Sequence, residues 1–143
     1  MKIFDCTTFY SEHLMMDLRF NILNDYVEKF IVCESTISHS GKKKKLNFDI
    51  NNYPKFKDKI SYIIIDEEPA DIIGLKNGLA KPHEKRSDSL KRINLSYDYM
   101  IKEIDKASDN DLIILSDNDE IPNLKSKQFK KKAAKPEYSK NQK

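Results

Sequence analysis

A chain of 143 residues suits one domain, and with 38% hydrophobic against 34% charged residues it can bury a core while staying polar outside. No apolar run reaches the roughly 18 residues that cross a bilayer, and Asp5 stands where a signal peptide needs its apolar stretch, so a cytoplasmic protein without a transmembrane segment is expected. The net charge of +3 is mild and clusters at Lys42 to Lys45 and from Lys125 to Lys143; clustered lysine of this kind is solvated charge, and no nucleic-acid partner is expected.

In chain order, Lys2-Ile3-Phe4-Asp5-Cys6 reads as a short first strand. Ser11 is placed to cap a helix reaching about Asn24. Leu14, Leu18 and Ile22 recur there at i, i+4 and i+8, and with Met15 and Leu23 they predict the buried stripe. Lys29-Phe30-Ile31-Val32-Cys33-Glu34 is a buried strand that ends in a carboxylate. Residues 35 to 59 look like loop, with His39-Ser40-Gly41, the lysine run and Pro54. Ser61-Tyr62-Ile63-Ile64-Ile65-Asp66 is the third strand, and Glu67 to Arg86 a second long connection. Ser87 can cap a helix whose Leu90, Ile93, Tyr97, Ile101 and Ile104 share one stripe. Asp111-Leu112-Ile113-Ile114-Leu115-Ser116 is the fourth strand, and Asp117-Asn118-Asp119-Glu120-Ile121-Pro122 follows at once.

Continuous apolar strands separated by helices predict an α/β fold, with a mostly parallel sheet covered on both faces. In such sheets ligands bind beyond the carboxyl ends of the strands, and the pattern puts Asp5, Glu34, Asp66 and the 117–120 cluster there. After Leu124 the periodicity stops and lysine dominates, so an ordered part over 1–124 and a basic, unstructured tail over 125–143 are expected. Cys6 and Cys33 are too few for a disulfide scaffold and have no zinc-ligand spacing, so both are assigned to packing.

The sharpest chemical feature is Asp117-Asn118-Asp119 directly past an apolar strand. Carboxylates at i and i+2 can both face a hard cation such as Mn²⁺ or Mg²⁺, which takes one or two carboxylates plus substrate phosphates. A solvated turn is the plainer alternative, since Asp and Asn favour turns. An EF-hand loop fails because its sixth position would be Pro122 where glycine is needed. A phosphohydrolase with an aspartyl nucleophile needs further motifs on later strands, and the residues after Asp119 form none.

Four blocks occur in a fixed order: Lys2 to Glu12, Phe30 to Ser35, Thr36 to Lys42 with its His39-Ser40-Gly41, and Ile113 to Pro122. Together they resemble glycosyltransferase family 17, the β-1,4-mannosyl-glycoprotein N-acetylglucosaminyltransferase family, over about Lys2 to Leu124. The resemblance implies a GT-A-like (Rossmann-like) fold, a UDP-sugar donor (UDP-GlcNAc), a divalent metal, and inverting transfer to a glycan or other sugar acceptor. Asp117 and Asp119 match the Asp-x-Asp position as metal and donor ligands, and Glu120 with Pro122 matches the Glu-Ile-Pro that trails it. Asp88 to Arg92 resembles a Glu-x-x-Gln-Arg segment, departing from it at two positions and keeping Arg92. This implies donor contacts from Asp88 and from Arg92, the latter on the diphosphate, and Glu34 is implied to meet the nucleoside. By the same resemblance an acceptor-binding half with a general base belongs after the Asp-x-Asp strand. The chain reads as truncated there, so binding without transfer, as a remnant or a truncated gene product, is the alternative to an enzyme of bacterial surface-glycan synthesis.

Overall fold

The computed structural model describes residues 1–74, 78–105 and 107–126. Its elements run β1 (Ile3–Thr8), α1 (His13–Leu23), β2 (Lys29–Ser35), β3 (Ile60–Ile65), α2 (Pro82–Glu103) and β4 (Leu112–Leu115). The sheet is parallel throughout, in the order β3-β2-β1-β4. The expected α/β class and parallel sheet are therefore present. The chain first moves outward from β1 to β2 and β3, then returns through α2 to place β4 on the other side of β1. That reversal opens a crevice at the carboxyl ends of β1 and β4.

Both faces of the sheet are covered, which is why the strands read as unbroken apolar runs. Side chains alternate along β2. Phe30 and Val32 face one core with Met16, Phe20, Leu23, Phe48, Tyr53 and Phe56. Ile31 and Cys33 face the other with Cys6, Ile65, Met100 and Ile104. The first core lies under α1 and the irregular segment 44–59, where Phe20 stands edge-on to both Phe30 and Tyr53. The second lies under α2. Cys6 and Cys33 are free, buried thiols, and burial pushes each up to about 12, so both act as small apolar packing groups.

Several expected boundaries and faces move. Helix α1 starts after Glu12, not at Ser11, and Glu12 has no side-chain cap bond into the helix. Its buried residues are Met16, Arg19, Phe20 and Leu23, while Leu14, Leu18 and Ile22 are exposed. Helix α2 begins at Pro82, five residues before Ser87, because proline fits a first turn whose N–H needs no partner and Glu84 accepts from the Lys81 amide (2.6 Å). Its buried side is Asp88, Ser96 and Met100, continued by Ile104, while Leu90 and Ile101 are exposed. This face is polar near the carboxyl ends of the strands and apolar near their starts. The loop from 36 to 44 is a tight excursion closed by an antiparallel bridge between Ile37 and Lys43. Among the described residues no helix is long and apolar enough to cross a membrane. The expected tail lies outside the described residues from position 127 on.

Candidate functional site

The crevice at the β1–β4 reversal is a cleft of about 510 Å³. Thr8, Phe9 and Tyr10 leave β1 to form one side, Cys33 and Ser35 end β2 at the floor, His39 and Ser40 come from the 36–44 loop, and Asp117, Asn118 and Asp119 close it beyond β4. The Phe9 amide donates to the Cys33 carbonyl (2.8 Å), extending the sheet beyond β1. The Phe9 ring is wedged edge-on between His13 and Phe48, so this side is rigid.

Asp117 and Asp119 are exposed to the cleft. Among the described residues neither carboxylate takes a hydrogen bond or ion pair. Glu120 on the same turn is likewise exposed and without a side-chain partner among the described residues, but it does not line the cleft, and the acids at the other strand ends and beside the cleft are engaged. Asp5 is buried in a two-oxygen pair with Arg19 (2.7 Å each). Asp66 accepts from the Thr36 hydroxyl (2.6 Å). Glu12 accepts from the amides of Tyr10 and Ser11 and from the Asn118 side chain (2.7 Å). Two of the uncommitted carboxylates of the acidic turn thus line a concave site, and their hard oxygen donors suit Mn²⁺ or Mg²⁺ completed by phosphate oxygens. No group of three or more His, Cys, Asp or Glu side chains among the described residues could hold a metal unaided.

Three residues expected on the donor are occupied elsewhere. Glu34 is buried and turned into the first core, where it pairs with Lys44 and accepts from the amides of Asn47 (2.9 Å) and Phe48 (3.0 Å) and the Tyr62 hydroxyl (2.8 Å). The strand's alternation decides this, since Glu34 shares a side with Phe30 and Val32, and only its neighbours Cys33 and Ser35 reach the cleft. Asp88 is buried and accepts from the amides of Ile73 (2.9 Å) and Gly74 (2.8 Å), tying the connection after β3 to α2. Arg92 grips both carboxylate oxygens of Glu68 (2.7 and 3.0 Å) and donates to the His39 carbonyl (3.0 Å). Its task is to dock the histidine loop on α2. Gly41 makes that contact possible: its φ is +84°, and an added Cβ would lie 2.8 Å from the Arg92 guanidinium.

His39 is the loop's contribution to the cleft. Burial lowers the imidazole below its ordinary value, Asp117 pulls it back up, and Arg92 lowers it again, for a net fall. A neutral ring thus faces the acidic turn at ordinary pH. On its other side a second cleft of about 730 Å³ shares His39 and Ser40 and is lined by Lys42, Arg86, Ser89 and Arg92.

Arg19 is the site residue that sequence reasoning missed. It is fully buried and donates to Asp5, to the Ser116 hydroxyl (2.6 Å) and to main-chain carbonyls of the acidic turn. The available signal was a lone charge in an apolar strand, Asp5 in β1, and an arginine flanked by apolar residues on α1, Arg19 between Leu18 and Phe20.

A family model described as Glycosyltransferase family 17 matches residues 1–138. No curated protein and no solved structure matches the chain significantly.

Proposed function

The chain belongs to glycosyltransferase family 17, and from that membership we propose that the β1–β4 cleft binds a UDP-sugar with a divalent cation held by Asp117 and Asp119. UDP-GlcNAc is the donor implied by the resemblance, and the sugar passes to a hydroxyl of a glycan or other sugar acceptor. One observation carries this reading: among the described residues the two carboxylates that line the cleft have no protein partner, whereas Asp5, Glu12 and Asp66 around them are paired.

Each part of the cleft then has a task. Asp117 and Asp119 hold Mn²⁺ or Mg²⁺ against the diphosphate. The bound cation supplies Lewis-acid stabilisation of the charge that collects on the diphosphate as the glycosidic bond breaks. Thr8, Phe9 and Tyr10 form a stiff side for the nucleoside, so little ordering entropy is lost on binding. Neutral His39 adds no cation beside Asp117, which leaves the turn's full negative charge for the metal. The second cleft is the natural seat for an acceptor, because it meets the first at His39 and Ser40.

Titration of UDP in the presence of Mn²⁺ against the purified chain tests the reading. Asp119→Asn removes a carboxylate that no protein group uses, so the fold is expected to be unaffected. Affinity is expected to fall at least tenfold, about 1.4 kcal/mol. An Asp119→Asn variant that binds UDP and Mn²⁺ as tightly as the parent would reduce the motif to a solvated turn.

A further inference from the structure

The main-chain carbonyls of the acidic turn gather on one buried guanidinium, while the Asn118 side chain ties the turn separately to Glu12 (2.7 Å). The side chain of Arg19 has no solvent exposure, and all five of its N–H groups have acceptors. Nε and one Nη2 hydrogen serve the two oxygens of Asp5, both at 2.7 Å. The other Nη2 hydrogen serves the Ser116 hydroxyl (2.6 Å), which itself donates to the Glu120 carbonyl (3.2 Å). Nη1 serves the turn alone, reaching the carbonyls of Asp117 (3.0 Å), Glu120 (3.3 Å) and, more weakly, Asn118 (3.4 Å). Three carbonyls of one short segment thus converge on one nitrogen. With its carbonyls drawn inward, the turn presents the side chains of Asp117 and Asp119 to the cleft.

We infer that Arg19 is the positioning residue of the Asp117–Asp119 site, and that Asp5 is present to hold and neutralise Arg19. The inference rests on the reading of that turn as the metal and diphosphate site. The ends of the segment are fixed by other means: the Ser116 amide bonds the Cys6 carbonyl (3.3 Å), and Leu124 is buried in the first core with Ile121 packed against it. Between these ends, among the described residues, the main chain of the turn is held by Arg19, by the Ser116 hydroxyl that Arg19 itself binds, and by its own Glu120–Asp117 hydrogen bond (3.1 Å). A lysine could neutralise Asp5 but has no planar fork to reach Ser116 and the carbonyls together. The arrangement is not a requirement for burial as such, because a buried ion pair can often be replaced by apolar residues of similar volume without loss of stability.

That property supplies the test. The double variant Asp5→Leu, Arg19→Met removes the guanidinium without stranding a charge, and Arg19→Lys keeps the charge but removes the fork. Three readouts are taken on the full chain: the cooperativity of urea unfolding, amide exchange at residues 116–120, and UDP affinity with and without Mn²⁺. In whichever variant unfolds cooperatively, exchange of the Glu120 amide is expected to rise at least tenfold. The gain in UDP affinity conferred by Mn²⁺ is expected to fall at least tenfold, while metal-free UDP binding stays within twofold. A folded variant that keeps parental exchange at Glu120 and the parental Mn²⁺-dependent gain overturns the inference. Loss of cooperative folding in both variants also overturns it, since the pair would then serve the fold as a whole. A parent chain that gains nothing from Mn²⁺ while Glu120 exchange still rises in the variant overturns the donor-site reading and leaves Arg19 as the clamp of the turn.

Discussion

Glu34 sits between two residues that line the cleft, yet its own side chain never enters it. Burial raises its carboxyl, but the Lys44 ammonium, the Phe48 and Asn47 amides and the Tyr62 hydroxyl outweigh that and hold it below its ordinary 4.5. A group depressed in the folded state adds stability above its unfolded value, and that contribution is lost as pH falls through the folded value. The parent should therefore unfold at progressively lower urea as pH falls below about 4.5. Glu34→Gln should lack that part of the acid dependence. It should also lose about 3 kcal/mol at neutral pH, because Lys44 is left beside an uncharged partner in a largely buried setting. A Glu34→Gln chain as stable as the parent at neutral pH, but unable to bind UDP, would return Glu34 to the nucleoside site.

Helix α1 carries two apolar stripes, and periodicity cannot rank them. At about 100° per residue, Leu14, Leu18 and Ile22 form one stripe, and Met16, Phe20 and Leu23 form another on the far side. The second stripe is buried because it meets Phe30, Tyr53 and Phe56, whose rings complete a core that the helix alone does not reveal. Phe20→Ala should cost about 3–5 kcal/mol in chemical unfolding, whereas Leu18→Ser should stay within about 0.5 kcal/mol of the parent. Equal losses at the two positions would mean that the outer stripe is also covered. On α2 the change of face has a related cause. Asp88 and Arg92 turn inward despite their charge because backbone amides, Glu68 and the His39 carbonyl satisfy them there.

At the scale of the molecule, the order β3-β2-β1-β4 decides where a ligand can sit. Strand order reverses only beside β1, so the loops after β1 and β4 diverge there and leave the cleft between them. Binding to a cleft built from several separate segments stabilises the whole chain by mass action, about 2.7 kcal/mol at a hundredfold excess over Kd. Thermal unfolding with UDP and Mn²⁺ together should therefore move to higher temperature, and the shift should fall to about half or less in Asp119→Asn. A shift of equal size in that variant would place the ligand outside the acidic turn.

Apolar runs at β1 to β4, the alternation of strand with helix, and the carboxylate pair after the fourth strand were all legible in the order of residues. They depend on local pattern, and pattern also carried the resemblance to the family. Choices that depend on partners distant in sequence were not legible. Which face of α1 is buried, whether Glu34 points to the cleft or the core, and which acid Arg92 pairs with follow from what the sheet places opposite each side chain. Arg19 shows the difference most plainly. As one arginine in a helix it looks solvated, and it becomes the support of the acidic turn only when β4 is laid beside β1. Ser116 and the Asp117 carbonyl, nearly a hundred residues onward in the sequence, then come within 3.0 Å of its guanidinium. Charge in a sequence shows what a residue can pair with, whereas the fold selects the partner, because a buried ion persists only where every donor finds an acceptor.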